Sequence, residues 1–214
     1  MLASIIEKPH AGTDVTARLE GMFKLRHEVF KERLQWDVGS VAGRERDMFD
    51  DLDPVYIVCE QDGEVLGSWR LLPTTGPYML RDVFPELLHG QDAPAAPDVW
   101  EISRFAVSKR VAGNESLGTI RSVTQMLLDQ LFTFAARKNL SRIVAVCDVR
   151  FERILKRSGL MTNRFGPSMP VGVTEAVAGY ADVTDLNLRR LQLNTQPLYL
   201  GNGAAATAAL KLAA

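Results

Sequence analysis

Cysteine and histidine are scarce in this chain, and neither sign of charge is in excess. It has two cysteines and three histidines in 214 residues, and both cysteines, Cys59 and Cys147, lie in apolar, strand-like runs. Two such thiols make neither a disulfide framework nor a zinc site, so we expect no metal and a reducing, cytoplasmic location. The 25 Lys and Arg against 26 Asp and Glu argue against broad nucleic-acid binding, which needs a strongly basic face.

Long apolar runs are also missing. No run reaches the length of about eighteen residues that indicates a membrane span, and MLASIIEKPH lacks the pattern of a secretory signal. A hydrophobic content of 46% and a charged content of 24% are typical of a folded domain with a real core. We expect one monomeric domain over residues 1–200. The low-information tail, 201–214, ends in KLAA, which resembles vector-encoded sequence.

The order of predicted elements indicates an α/β fold. Apolar periodicity and turn residues predict the following elements: a helix from about Thr16 to Arg33, a hairpin of VYIVCE and EVLGSWRLL with a bulge at Gly67, a short helix near Met79–Phe84, the strand VWEISRFAV, a helix from about Glu115 to Lys138, the strand SRIVAVCDV, and a helix ended by Gly159. They predict a three-layer sandwich with a mixed, mostly antiparallel central sheet.

The strand WEISRFAV carries two charges, Glu101 and Arg104, in an apolar setting. Strand alternation puts them on opposite faces, so a common site requires a bulge or splay between them. Arg26 and Arg70 also lie in apolar elements, where an unpaired charge costs roughly several kcal/mol. Two interpretations stay open: buried ion pairs and edge charges, or a polar cleft where these side chains converge.

The segment from Trp36 to Pro54 has little periodicity and is predicted to be a long loop. Its carboxylates fit no calcium-loop pattern and have no histidine nearby. They either form a solvated acidic face or, at Asp47 and Asp50, face the arginines or a cationic ligand. Phe30 and Trp36 flank the loop, and aromatic rings beside carboxylates suit a cationic, partly apolar ligand, although core packing is the commoner role.

No serine or cysteine nucleophile motif is present, which leaves Glu101 as the best candidate base. Basic residues cluster on the helix after SRIVAVCDV, at Arg150, Arg153, Lys156 and Arg157. A solvated helix face is one interpretation, and docking of an acidic carrier protein is the other.

Several motifs, taken in order, resemble the acyl-homoserine-lactone synthases, the autoinducer synthases of bacterial quorum sensing. They are RHEVFKERLQW, ERDMFDD, WRLLPTTGPYML, VFPELL and WEISRFAV, with RFGP at Arg164–Pro167. The resemblance is close from about residue 22 to 107 and looser to about 170. The positions that match individually are Arg26, Phe30, Trp36, Glu45, Asp47, Asp50, Arg70, Phe84, Glu101 and Arg104.

The resemblance implies an acetyltransferase-like (GNAT-like) fold and two substrates, S-adenosylmethionine and an acyl thioester. The acyl group usually arrives on acyl carrier protein and less often on coenzyme A, and S-adenosylmethionine is a substrate, so no cofactor is expected. Glu45 and Phe84 would support the site. The resemblance implies these S-adenosylmethionine contacts: Arg26, Phe30, Trp36, Asp47, Asp50, Arg70, Arg104 and Phe105.

Glu101 and Ser103 are the expected catalytic positions. Glu101, directly or through a water, would deprotonate the amine of S-adenosylmethionine, and a backbone N–H near Ser103 would stabilise the oxyanion. The carboxylate would then close on the γ-carbon, an intramolecular step that positioning favours, and methylthioadenosine would leave.

The acyl pocket is expected between the long helix and the strand after it. Its predicted lining is Met126, Leu127, Val146, Cys147, Phe151 and Leu155. That strand has Ala145 and Cys147 where members preferring 3-oxo chains often have threonine, so a 3-oxo preference is not expected.

Two other functions remain open. One is an N-acetyltransferase that uses acetyl-coenzyme A on another amine. Against it, Glu115 ends RVAGNE, the nearest match to a pyrophosphate-binding motif, and would repel phosphate; this also favours a carrier-protein donor. The other is a sensor that binds S-adenosylmethionine without turnover, which would need no base at Glu101.

Overall fold

The computed structural model describes residues 1–7, 12–109, 117–157 and 163–184, with only the backbone for 117–121 and 157. The strands are β1 (Leu2–Ile6), β2 (Ser40–Val41), β3 (Arg44–Glu45), β4 (Val55–Gln61), β5 (Glu64–Pro73), β6 (Val99–Val107), β7 (Arg142–Asp148), β8 (Asn163–Arg164), β9 (Met169–Val171) and β10 (Thr174–Asp182). The α-helices are α1 (Thr13–Arg26), α2 (Met79–Asp82), α3 (Leu117–Arg137) and α4 (Val149–Arg157). A π-helix (His27–Arg33) continues α1, and 3-10 turns cover Met48–Asp51 and Pro85–Leu88.

The main sheet has the order β1-β4-β5-β6-β7-β10-β8, and β9 pairs with β10. Its pairs are antiparallel except β6 with β7, which is parallel. The expected mixed, mostly antiparallel sheet is confirmed.

Residues of β4 alternate between two apolar layers. Ile57 and Cys59 pack in the core beneath α3, whereas Tyr56 and Val58 pack in the core beneath α1. Helices therefore cover both faces of the sheet, which is the expected three-layer sandwich.

The β4–β5 hairpin turns through Asp62 and Gly63, whose φ angles are 52° and 80°. Gly63 supplies this conformation without steric cost, and two positive φ angles match the twist of a tight hairpin. The register shifts opposite Leu66, next to the predicted bulge at Gly67. Gly67 also lets α3 approach, because a Cβ there would lie 2.6 Å from Val123 Cγ1.

β1 was not predicted, because LASII is short and has no clear alternation. Its pairing with β4, from Leu2 opposite Glu60 to Ile6 opposite Tyr56, makes it an edge strand. The Gly159 helix stop, the RVAGNE segment and the tail 201–214 lie outside the described residues. Within the described part of the chain, no helix combines the length and hydropathy that crossing a bilayer requires.

Candidate active site

The parallel strands β6 and β7 separate partway along their length. Their pairing runs from Val99 opposite Arg142 to Ile102 opposite Ala145, although β6 continues to Val107 and β7 to Asp148. The second half of β6 therefore faces a V-shaped opening in the sheet, where its backbone groups are available to a ligand.

A β-bulge lies at this opening. Arg70 pairs with Ser103 and Ser68 with Ala106, so Arg104 and Phe105 together oppose Trp69. Arg104 has a φ of 57°, an uncommon conformation for a residue with a side chain. The bulge turns Arg104 to the face that carries Glu101, and the predicted splay between these two residues is confirmed.

The charged side chains form one closed network on that face. Three arginines and three carboxylates alternate around it in this order: Arg26, Asp50, Arg70, Asp47, Arg104, Glu45 and back to Arg26.

Arg26 binds two of the carboxylates at the buried end of the network. Its Nη1 and Nη2 donate to the two oxygens of Asp50 at 2.8 and 2.9 Å, and its Nε donates to Glu45 Oε2 at 2.5 Å. Burial alone would lower the pKa of Arg26, but Asp50 and Glu45 outweigh burial and raise it. Burial would likewise raise the pKa of Asp50, and Arg26 and Arg70 hold it below its ordinary value.

Arg70 and Arg104 close the network. Arg70 Nη1 contacts Asp47 and lies 3.0 Å from Asp50 Oδ1. Arg104 Nε donates to Glu45 Oε1 at 3.0 Å, and its Nη2 lies 2.7 Å from Asp47 Oδ2. Burial lowers the pKa of Arg104 despite these two carboxylates.

The long loop presents its carboxylates through local capping. Asp47 precedes the 3-10 turn Met48–Asp51, and its Oδ1 accepts from Phe49 N at 3.0 Å. Asp50 Oδ2 accepts from Asp47 N at 2.9 Å, which completes a reciprocal capping box. Tyr56 then donates its hydroxyl to Asp50 Oδ1 at 2.7 Å. Local backbone hydrogen bonds thus help to orient both carboxylates toward the arginines.

The side chains of the network differ in their exposure to solvent. The side chains of Asp47 and Arg104 are 19% and 11% exposed, whereas Arg26 is 1% exposed and Arg70 is fully buried. Arg26, Asp50 and Arg70 were expected to contact the substrate. Their burial does not fit that role, because ion-pair partners within the network enclose each of the three side chains. They hold Asp47 and Arg104 in place, as Glu45 does.

The two aromatic residues beside the loop stack on each other. The rings of Phe30 and Trp36 are 5.3 Å apart at 4°, and Arg104 Cζ lies 5.6 Å from the Phe30 centroid. Phe30 was expected to contact the ligand directly. Its side chain is only 2% exposed, which does not fit that expectation. Trp36 is half-buried and supplies the accessible ring.

Glu101 is buried beside the network. Its carboxylate accepts from the backbone N–H groups of Met79 and Leu80, at 3.0 and 2.7 Å, where α2 begins. Met79 Sδ in turn accepts from Arg70 and Arg104 at 3.2 and 3.3 Å. Burial raises the pKa of Glu101 to about 7, against the lowering effect of its two backbone hydrogen bonds. A carboxylate with this pKa is suited to proton transfer at neutral pH.

Ser103 follows Glu101 by two residues in β6 and shares its face of the sheet. Its Oγ accepts from Arg70 Nε at 3.1 Å. Phe105 was expected at the S-adenosylmethionine site, and the bulge instead turns it to the opposite face of the sheet. There its ring stacks on Phe151 at 4.2 Å and lies 5.0 Å from Trp69.

That opposite face contains an apolar cavity between β6, β7, α3 and β10. Of the predicted acyl-pocket residues, Cys147 and Leu155 line it, and Met126, Leu127 and Phe151 belong to the core around it. Val146 was predicted wrongly. It alternates with Cys147 along β7 and packs in the core on the other face of the sheet, as does Phe84.

One polar group at the cavity was missed. Glu152 lines it, and its carboxylate is held by Arg164 at 2.6 and 2.8 Å. No sequence signal marked Glu152, because it reads as an ordinary helix-surface residue. Tyr56 and Met79 were missed as well, because Tyr56 lies in an apolar strand and Met79 begins a short helix, and neither side chain indicated a polar role.

The basic residues of α4 are on the surface. Arg150, Arg153 and Lys156 are exposed, and Lys156 Nζ lies 2.9 Å from Glu152. The side chain of Arg157 lies outside the described part of the structure. α4 follows β7 directly, so its exposed arginines lie next to the opening between β6 and β7.

The family model described as autoinducer synthase matches residues 13–191. An acyl-homoserine-lactone synthase of Pseudomonas aeruginosa is 42% identical over 160 residues, 73% of this chain and 78% of that protein. The crystal structure of the AHL synthase LasI has a TM-score of 0.80 at 37% identity and covers 89% of this chain and 93% of its own. The structure of the CoA-dependent synthase BjaI, with SAM and isopentyl-CoA, has a TM-score of 0.80 at 25% identity over 92% and 90%. The expected acetyltransferase-like fold is confirmed by these similarities.

Proposed function

The chain belongs to the autoinducer synthase family, and we propose that it makes an N-acyl-homoserine lactone from S-adenosylmethionine and an acyl thioester. The observation that carries this proposal is the bulge in β6. It places Glu101 and Arg104 on one face, beside the opening of the sheet, and Phe105 on the other face, beside the apolar cavity.

The polar face suits the charged end of S-adenosylmethionine. The Asp47 side chain is 19% exposed, whereas those of Glu45 and Asp50 are fully buried, so Asp47 is the carboxylate of the network that a substrate ammonium can reach. Arg104 is the accessible cation for the substrate carboxylate, and Trp36 offers a ring to the sulfonium and adenosine. The buried members of the network keep these groups in place.

Acylation requires a base and a place for the developing negative charge. Glu101 takes one proton from the substrate ammonium to give the neutral amine, and its burial favours a water as the link. The amine nitrogen attacks the thioester carbonyl, the C–S bond breaks, and the second proton lost from nitrogen goes to the leaving thiolate. Backbone N–H groups of the separated part of β6, near Ser103, stabilise the oxyanion.

Lactonisation uses the same bound substrate. The carboxylate oxygen attacks the γ-carbon, and the bond from that carbon to the sulfonium sulfur breaks. Methylthioadenosine then leaves as a neutral molecule. Because nucleophile and electrophile belong to one molecule, fixing the carboxylate at Arg104 supplies much of the required orientation.

Acyl carrier protein is the donor that the surface favours. Arg150 and Arg153 are exposed on α4, next to the opening, and acidic carriers dock through complementary charge. Coenzyme A is the second candidate, because the similar synthase BjaI is CoA-dependent. The apolar cavity would take the acyl chain in either case.

The proposal is tested by mixing the protein with S-adenosylmethionine and a panel of acyl-carrier and acyl-coenzyme A donors. Mass spectrometry should detect acyl-homoserine lactone and methylthioadenosine in equal amounts, with carrier-protein donors preferred. Binding of S-adenosylmethionine without product from any donor would favour a sensor. Acetylation of a different amine would favour an ordinary N-acetyltransferase.

A further inference from the structure

Trp36 is held by a residue far away in the chain. Its indole Nε1 donates to Thr174 Oγ1 at 3.1 Å, across 138 positions of sequence. Thr174 is the first residue of β10 and follows the turn at Gly172, where φ is 56°. This bond therefore joins the loop after the π-helix to the β9–β10 hairpin.

The surroundings of Trp36 give this bond its importance. Trp36 packs at the edge of the core beneath α1, but its sequence neighbours Leu34, Gln35 and Asp37 are exposed. Stacking on Phe30 sets the plane of the ring. The hydrogen bond at the one polar atom of the indole adds a directional contact that fixes the edge of the ring within that plane.

We propose that Thr174 is a positioning residue of the S-adenosylmethionine site, and that it acts by fixing the orientation of Trp36. The inference rests on the proposed function, since it assumes that Trp36 contacts S-adenosylmethionine. It assigns part of that site to the β9–β10 hairpin, which carries none of the motifs that indicate the family.

The bond itself is tested without substrate. In ¹⁵N spectra the three tryptophans give three indole N–H signals, and Trp36→Phe identifies the Trp36 signal by its loss. Thr174→Val should shift that signal upfield and accelerate its exchange with solvent, and Thr174→Ser, which keeps the hydroxyl, should restore it. An unchanged Trp36 signal in Thr174→Val would overturn the proposal.

The effect on the site is tested by steady-state kinetics. Thr174→Val should raise KM for S-adenosylmethionine roughly three- to tenfold, the loss of about one neutral hydrogen bond. Its kcat and its KM for the acyl donor should stay close to wild type, and Thr174→Ser should restore KM. Thr133→Val is the matched control, because Thr133 is exposed on the surface of α3 and donates locally, to Asp129 O, so it should leave KM unchanged.

A double variant separates positioning from a general structural role. If Thr174 acts through Trp36, Thr174→Val should raise KM no further once Trp36→Phe is present. Full additivity of the two changes would overturn the proposal. If the wild-type protein makes no lactone with any donor, the proposed function fails, while the indole spectra still decide whether Thr174 orients Trp36.

Discussion

Glu101 is subject to two opposing effects on its ionisation. Its two backbone hydrogen bonds stabilise the carboxylate, and burial disfavours it. Burial is the larger effect, so the pKa rises to about 7 and the active carboxylate form increases as the pH passes upward through neutrality. An exposed glutamate would be ionised well below this range.

This ionisation leads to a prediction for Glu101→Gln. The variant keeps the size of the side chain but cannot accept a proton, so kcat should fall by about 10²- to 10⁴-fold, while the Kd for S-adenosylmethionine changes by less than about tenfold. In wild type, the Glu101 carboxyl ¹³C signal, assigned by its loss in the variant, should titrate near pH 7. Equal losses in turnover and binding, or a titration near 4, would make Glu101 an anchor for α2.

Asp50 and Asp51 are adjacent but lie in opposite environments. Asp50 contacts Arg26, Arg70 and Tyr56 in the interior, whereas the Asp51 side chain is 66% exposed in its pair with Arg46. Removing one partner from a buried ion pair leaves an uncompensated charge.

Asp50→Asn should therefore lower the free energy of unfolding by about 3–5 kcal/mol. Asp51→Asn should lower it by less than about 1 kcal/mol, as is usual for an exposed pair. Urea denaturation of the two variants measures the difference. Similar losses would contradict the assignment of Asp50 to a buried ion-pair network and of Asp51 to the surface.

At the scale of elements, β5 and β6 depend on two irregularities. The bulge at Arg104 and Phe105 could be foreseen, because an acid and a base three residues apart cannot share one face of a regular strand. The closeness of β5 to α3 could not be foreseen, because it depends on which helix packs over Gly67. In the structure, Gly67 lies against α3, and the irregularity that was predicted at Gly67 lies one residue earlier, at Leu66.

Gly67→Ala tests this packing. The added methyl group would meet Val123 and Leu127 of α3 at 2.6 and 3.0 Å, and overpacking of this kind costs about 1–3 kcal/mol. Gly76→Ala is the control, because nothing lies within 4 Å of a Cβ at Gly76. Thermal unfolding should show a lower Tm for Gly67→Ala alone, and equal values for the two variants would contradict the assigned contact.

At the scale of the whole molecule, the two faces of the sheet separate charge from hydrocarbon. The charged network, Glu101 and Trp36 lie on the face of α1 and α2, and the cavity with Phe105 and Phe151 lies on the face of α3 and α4. The opening between β6 and β7 is where the two faces meet, and an acyl thioester must bridge them there.

The exposed arginines of α4 predict how a donor approaches this opening. Arg150→Glu combined with Arg153→Glu should lower kcat/KM for acyl carrier protein roughly ten- to a hundredfold, mostly at low salt. The KM for S-adenosylmethionine should not change, because neither arginine is near the charged network in sequence or on its face. An equal loss with carrier-protein and coenzyme A donors would contradict carrier docking at α4.

Residue type and periodicity by themselves determined the order of the main helices and strands from α1 to α4, the mixed sheet and the need for a bulge in β6. They also indicated that Arg26, Arg70 and Arg104 need partners, because charges in apolar elements require them, but left open whether the loop carboxylates are those partners. Only the tertiary structure decided which of these residues are accessible. Burial of Arg26, Asp50, Arg70 and Phe30 depends on contacts between elements distant in sequence.

The remaining errors have a similar physical origin. Strand alternation puts Val146 and Cys147 on opposite faces of the sheet, so they cannot line the same pocket, and the pocket prediction ignored this. Phe105 changed face because a bulge shifts the alternation by one residue, and its exact position depends on the partner strand. β1 and the bond from Trp36 to Thr174 left no local pattern, because their free energy comes from pairing with chain segments that a sequence window does not contain.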